Sequence, residues 1–185
     1  MKRLFAFSFC LLMCIGMGFA QEETQAPPLE YSEVVHVDGV SQDDLYDRAK
    51  VWFASAFNSA NNVIQFDNKE QGMILGKAVI AYTDGLQDHM IKHMVAIYVK
   101  DGRYKYVINK FNHSSDWHTK MGVIEINFGT LTTSATPPKI RVGFRKKSFQ
   151  DAWDKAKSEV QSSAEFLISS LKESMSQSIL QDDNW

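Results

Sequence analysis

The sequence predicts an α+β domain, an antiparallel sheet of about five strands with two helices packed on one of its faces. Three observations carry this. Residues 94–109, "MVAIYVKDGRYKYVIN", alternate in character on both sides of Asp101-Gly102, a strong short hairpin signal. Residues 41–57 and 149–175 repeat apolar side chains every three or four positions, the period of a helix with one buried stripe. Two helices with an apolar stripe each, and a sheet with one apolar face, cover one another most economically when both helices lie on that face. The opposite face is then left bare.

The elements follow in order. Lys2 and Arg3 precede an apolar run from Leu4 to Ile15, and Gly18-Phe19-Ala20 forms a small-x-small site before Gln21. This pattern predicts a signal peptide, residues 1–20, cleaved after Ala20, with a run too short to span a bilayer as a helix. Lipidation at Cys14 fits less well, because Met13 is not the small residue a lipobox places before its cysteine. Both cysteines of the chain, Cys10 and Cys14, fall within this leader, so the exported remainder holds together without disulfides. Of 185 residues 165 remain, enough for one domain with its own core and with no membrane-spanning helix. Losing Lys2 and Arg3 from 20 basic residues leaves 18 against 22 acidic ones, a net charge of −4. A mildly acidic exported chain argues against nucleic acid as partner.

Residues 21–30, "QEETQAPPLE", read as a flexible tether. A single domain is expected over 31–177, with a tail at 178–185. Tyr31 to Val37 forms a first strand that Asp38-Gly39 ends. Ser41 caps the first helix, Asp43 and Asp44 suit its positive N-terminal end, and Leu45, Ala49, Trp52, Phe53 and Ala56 form its stripe. Asp47, Arg48 and Lys50 are expected to face away. Short and long strands follow at Val63 to Phe66 and Met73 to Tyr82, with Gly76 marking a bulge. A two-residue turn at Asp101-Gly102 pairs Lys100 with Arg103, Val99 with Tyr104, and Ile97 with Tyr106. The core face then carries Val95, Ile97, Val99, Tyr104, Tyr106 and Ile108. The wet face carries Met94, Ala96, Tyr98, Lys100, Arg103, Lys105, Val107 and Asn109, as an antiparallel sheet permits. Residues 114–147 read as a long connection, with one further apolar run at 123–128. In the second helix Phe149, Trp153, Ala156, Val160, Ala164, Leu167 and Leu171 form the stripe, and Phe166, Ile168, Ile179 and Leu180 fall off it.

The strand–helix–meander–helix order and the stretch "VDGVSQDDLYDRAKVWFASAFNSANNVIQFDNKEQGMILGK", residues 37–77, with "DGRYKY" at 101–106, together resemble an exported Bacteroidetes family, a domain of unknown function with a TBP-like fold. Leu45-Tyr46, Ala49, Trp52-Phe53, Ile64-Gln65, Gly72 and Gly76 carry the resemblance, which covers about residues 31–113. It implies a TBP-like fold and export, and it brings no catalytic residues.

Two clusters could carry chemistry. His113, Asp116 and His118 are the densest set of potential metal ligands, and a hydrolase or metal-dependent enzyme built in 114–147 is the alternative reading. No HExxH, CxxC, G-x-S-x-G, S-x-x-K or Gly-rich phosphate loop supports it. His89 and His93, four apart in a strand, share a face but lie too far apart to chelate. The second cluster is Tyr98, Lys100, Arg103 and Lys105 on the wet face, which suits an acidic glycan, a lipid headgroup or an acidic protein of the cell envelope. The basic residues Lys139, Arg141, Arg145, Lys146 and Lys147 either extend that patch or flank the final helix. The leading expectation is a non-enzymatic binding module without cofactor.

The leader generates a first test. Mass spectrometry of the protein from its native envelope should show a chain that starts at Gln21. An intact leader, or a lipid on Cys14, would refute cleavage at Ala20.

Overall fold

A computed structural model of the chain describes residues 26–85, 87–119, 122–125, 127–138 and 146–178. The expected leader, the start of the tether, the basic positions 139–145 and the tail beyond 178 lie outside these residues. The chain order is β1 (Tyr31–His36), α1 (Gln42–Ala56), α2 (Ala60–Val63), β2 (Ile64–Asn68), β3 (Met73–Asp84), β4 (Gln87–Lys100), β5 (Arg103–Thr119), β6 (Gly122–Glu125), β7 (Gly129–Thr130) and α3 (Lys146–Ser176). The single-turn α2 was not expected.

The sheet runs β1-β5-β4-β3-β2, all antiparallel, and the far side of β5 takes β7 and then β6 beyond the end of β1. The β4–β5 register is the expected one: Lys100 opposite Arg103, Val99 opposite Tyr104, Ile97 opposite Tyr106. Gly102 supplies the positive φ of the turn, 71°, at no steric cost. The hairpin tip is clasped from the β1–α1 connection. Val37 N–H donates to Gly102 O at 2.9 Å and Gly102 N–H to Val40 O at 2.8 Å. Asp101 Oδ1 accepts from the Gln42 N–H at 2.7 Å, and Ser41 Oγ accepts from Asp44 N–H at 3.2 Å. The tip and Ser41 therefore each satisfy one donor at the start of α1 that no intrahelical carbonyl can reach.

One face of the sheet is the core. Ile74, Ile91, Val95, Ile97, Val99, Tyr104, Tyr106 and Ile108 are buried against Leu45, Ala49, Trp52 and Phe53 of α1 and Trp153, Ala156, Val160, Leu167 and Leu171 of α3. The helices also bond to each other, Trp52 Nε1 donating to Ser170 Oγ at 3.0 Å. Gly76 lies under Phe53, where a Cβ would come within 2.8 Å of the ring. The bulge expected at Gly76 belongs to the strand opposite, between Ile64 and Phe66.

Four expectations need correction. Residues 27–30 of the expected tether at 21–30 are held to the domain, the Leu29 N–H donating to Leu131 O and the Thr133 N–H to Pro27 O at 2.9 Å each, with Leu29 packed against the core. Arg48 does not face away. It is 5% exposed, grips Asp44 through Nε and Nη2 at 3.1 and 2.8 Å, and donates from Nη1 to Met175 O at 2.8 Å. It stands next to Leu45, Ala49 and Trp52 on the helix surface, so its long stem lies in the stripe while its head satisfies an orphan carbonyl at the end of α3. Residues 114–147 are not one long connection. Strand β5 continues to Thr119, β6 and β7 pair with it, and the loop after β7 docks on α3, where Trp153 Nε1 and Lys157 Nζ donate to Ser134 O at 3.1 and 2.9 Å. The polar run His113-Ser114-Ser115-Asp116 concealed the strand. Finally, the alternation breaks within β5: Lys110 takes φ 56° and the register with β4 shifts between Lys92 and Met94. This bulge moves the core parity from Tyr104, Tyr106 and Ile108 to Phe111, His113 and Ser115.

Trp52 and Trp153, each 1% exposed, anchor the two helices on the sheet. Replacing either with Ala should cost about 3–5 kcal/mol, read as a fall in the denaturant midpoint. A midpoint that stays put in either variant would mean that its helix does not depend on that face.

Candidate functional site

The pleat that buries one face presents the other to solvent. Across the strands the open face reads, row by row from the hairpin tip: Lys100, Arg103 and His36; then Met73, Tyr98, Lys105 and Val34; then Leu75, Ala96, Val107 and Ser32; then Lys77, Met94 and Asn109; then Val79, Lys92 and Asn112; then Ala81, Met90 and Ser114; then Thr83, Asp88 and Asp116. Tyr98, Lys100, Arg103 and Lys105 thus sit together, as their spacing implied, and with Val34 they line one shallow cavity of about 330 Å³. Val34 and His36 arrive from β1 and Lys77 and Lys92 from β3 and β4. The sequence had a signal for the last two, polar positions in phase with Tyr98, but none for β1, whose partner strand is set by the fold.

The charges on this face are unbalanced. Elsewhere in the domain several lysines are neutralised, Lys69 by Asp47 at 2.8 Å, Lys155 by Glu159 at 2.7 Å and Lys172 by Glu33 at 2.7 Å. Lys77, Lys92, Lys100, Arg103 and Lys105 have no ion pair among the described residues. Of the carboxylates of the face, Asp88 and Asp116 stand at its other end and Glu30 stands beside Asn109. A larger concavity, about 740 Å³, lies beside the Lys110 bulge between Pro27–Glu30 and Asn112, and there Glu30 is already engaged by Asn109 at 3.0 Å.

The metal-ligand trio is not assembled. His113 points into the core, 1% exposed, and Asp116, three positions on, points to the opposite face. The side chain of His118 lies outside the described residues. Instead His113 meets His89 across the β4–β5 ladder, His113 Nε2 to His89 Nδ1 at 3.0 Å. Strand distance along one chain had hidden this pair. The Phe128 N–H donates to His113 Nδ1 at 3.5 Å, which fixes the His113 proton on Nε2 and makes His89 Nδ1 the acceptor. Tyr82 stacks flat on His89 with centroids 4.5 Å apart, and His93 stacks on Phe111 at 5.4 Å. His89 Nε2, Tyr82 Oη and Ser115 Oγ are buried without a hydrogen-bond partner among the described residues, and the His93 ring nitrogens have none of good geometry, the Ile91 backbone being the polar neighbour that acts on them. Burial, and then the neighbouring His89, push the His113 pKa down to about 4. Burial likewise lowers His89 and His93, with Asp84 and Asp88 opposing it at His89. These are neutral imidazoles inside a core. Among the described residues no three His, Cys, Asp or Glu side chains converge as a metal site.

Comparison with known proteins finds a family model that matches part of the chain. Residues 31–114 match the model of a domain of unknown function (DUF4468) with TBP-like fold. A crystal structure of a TBP-like protein from Parabacteroides distasonis is similar, with TM-score 0.61 and 12% identity over 82% of this chain and 94% of that one. A DUF4468 family protein from Bacteroides ovatus superposes with TM-score 0.46 and 13% identity over 84% of this chain and 90% of that one. No curated protein matches.

The buried histidines generate a pH dependence. In the fold His113 stays neutral until about pH 4, whereas the unfolded chain takes up its proton near 6.5. Its contribution is therefore complete above pH 6.5 and is lost as the pH falls to 4, by up to about 3 kcal/mol, with His89 and His93 acting in the same sense. The urea midpoint should fall steadily over that window, and His113→Phe should flatten the slope. A midpoint constant between pH 6.5 and 4.5 would contradict the buried neutral state.

Proposed function

We infer that this chain, whose residues 31–114 belong to the DUF4468 family with its TBP-like fold, is an exported, non-enzymatic binding module that takes an anionic partner on its open sheet face. The leader supports export, and no helix among the described residues is long and apolar enough to cross a membrane. The observation that carries the binding reading is the set of five cations, Lys77, Lys92, Lys100, Arg103 and Lys105, gathered on one face without carboxylate partners among the described residues, in a chain that is acidic overall.

Stability does not account for that set. Lys100 and Arg103 stand directly opposite each other, and like charges in a cross-strand pair are destabilising. Lys105 is the diagonal neighbour of Lys100. A folding requirement would place a carboxylate among them, as it does at Lys69, Lys155 and Lys172. An anionic partner removes the repulsion when it binds, and in its absence solvent and salt screen the charges over about 8–10 Å. Tyr98 and Val34 wall the cavity and give the partner an apolar contact beside the three cations at the tip.

Charge reversal separates binding from folding. Lys100→Glu with Arg103→Glu should abolish retention on an anionic matrix such as dextran sulfate and leave the thermal midpoint nearly unchanged. Retention of the wild-type chain should weaken as salt rises. Equal retention of wild type and variant at low and high salt would overturn this reading.

A further inference from the structure

The open face has a second property that a soluble anion does not need. Among the described residues the large apolar side chains left exposed are Val34, Val51, Phe66, Val79, Met90, Tyr98 and Phe166. All but Val51 and Phe166 lie on this face, with exposures of 50% for Val34, 40% for Phe66, 53% for Val79, 41% for Met90 and 39% for Tyr98. They are interleaved with the cations. Val79 is the cross-strand partner of Lys92, and Tyr98 and Val34 flank Lys105 on either side.

We propose that the open sheet face docks on the surface of an anionic bilayer, with Lys77, Lys92, Lys100, Arg103 and Lys105 against headgroup phosphates and Val34, Val79, Met90 and Tyr98 entering the boundary between headgroups and acyl chains. This rests on the anionic-partner reading above and names the partner. Headgroup phosphates and ester-level hydrocarbon occur together at that boundary, so each cation and its apolar neighbour find their complement in one surface. A saccharide or a base would be gripped by ring faces, and here the exposed apolar groups are chiefly aliphatic or thioether, with rings only at Tyr98 and Phe66. A soluble polyanion would use the cations and leave Val79 and Met90 in water. The charges also set the orientation. Three of the five cations, Lys100, Arg103 and Lys105, stand at the hairpin tip, which therefore approaches an anionic surface first.

Each Lys or Arg close to an anionic surface is worth about fivefold in affinity, so neutralising three gives about a hundredfold, and reversing them gives more. The test is co-sedimentation of the processed chain, whose described elements all lie beyond the leader, with vesicles of mixed phosphatidylglycerol and phosphatidylcholine or of phosphatidylcholine alone. Dextran sulfate retention runs in parallel. Wild type should bind the mixed vesicles and not the zwitterionic ones. Lys100→Glu, Arg103→Glu and Lys105→Glu together should lower vesicle partition by a hundredfold or more. Val79→Ser with Met90→Ser, with an unchanged thermal midpoint, should lower vesicle partition and leave dextran sulfate retention intact. Wild type that binds dextran sulfate but not the mixed vesicles overturns the bilayer and leaves the anionic reading standing, with a soluble polyanion as partner. Failure to bind either overturns both. Vesicle binding unaffected by the Val79 and Met90 substitutions also overturns the proposal, since apolar entry is what sets a bilayer apart.

Discussion

The register between β4 and β5 is the constraint on which the rest of the molecule depends. These are the two long central strands, and every other strand is paired to them or to their neighbour β3. Because side chains alternate across a strand, a slip of one residue would carry either Ile97 and Val99 of β4 or Tyr104 and Tyr106 of β5 to the solvent, and with them Lys100, or Arg103 and Lys105, into the core. Desolvating those cations without partners costs far more than the sheet could return. One two-residue turn thus decides at once which face the helices cover and which charges stay in water. The clasp around it makes the turn hard to slip, since Asp101 also caps α1 and Gly102 is bonded on both sides to the β1–α1 connection.

The same constraint explains the Lys110 bulge. Beyond Ile108 strand β5 leaves β1 and takes β7 and β6 as neighbours, and one extra residue turns Phe111, His113 and Ser115 toward the helices. The cost is a core containing imidazole and hydroxyl groups with unmet hydrogen bonds. The benefit is a long strand that stays covered by Phe128 and Trp153 after β1 has ended. Arg48 is another polar group held inside for a structural reason, for it joins the first turns of α1 to the last turn of α3.

What was legible in the sequence was local. The Asp101-Gly102 register, the Ser41 cap and the stripes through Trp52 and Trp153 each follow from a few neighbouring residues and a fixed period, and the structure has them all. What was hidden was either non-local or disguised by polarity. His89 meets His113 only because two strands pair. Arg48 stands in the stripe by position, yet its charge argued for the surface until α3 supplied a carbonyl. The one missed signal that lay in the sequence is Asn109-Lys110, two polar residues where alternation calls for one, and it marks the bulge. Of the open face, Tyr98, Lys100, Arg103 and Lys105 were readable because one hairpin carries them, while Val34 and His36 needed the knowledge that β1 lies beside β5.

The protein has two concentrations of uncompensated polar chemistry, and they differ in kind. The histidine cluster is closed. Its groups are neutral, stacked on aromatic rings and sealed under α3, so its unmet hydrogen bonds weigh on stability and on its response to acid. The open face has the opposite character, because its five cations have no ion pair among the described residues. In a fold that could have covered a second face with another helix, or paired these lysines with carboxylates as it does Lys69, Lys155 and Lys172, a bare sheet with interleaved cations and aliphatic groups is unfavourable in isolation. Among the described residues nothing balances that surface, and for this reason the binding proposed above is assigned to the side of the sheet that folding leaves unused.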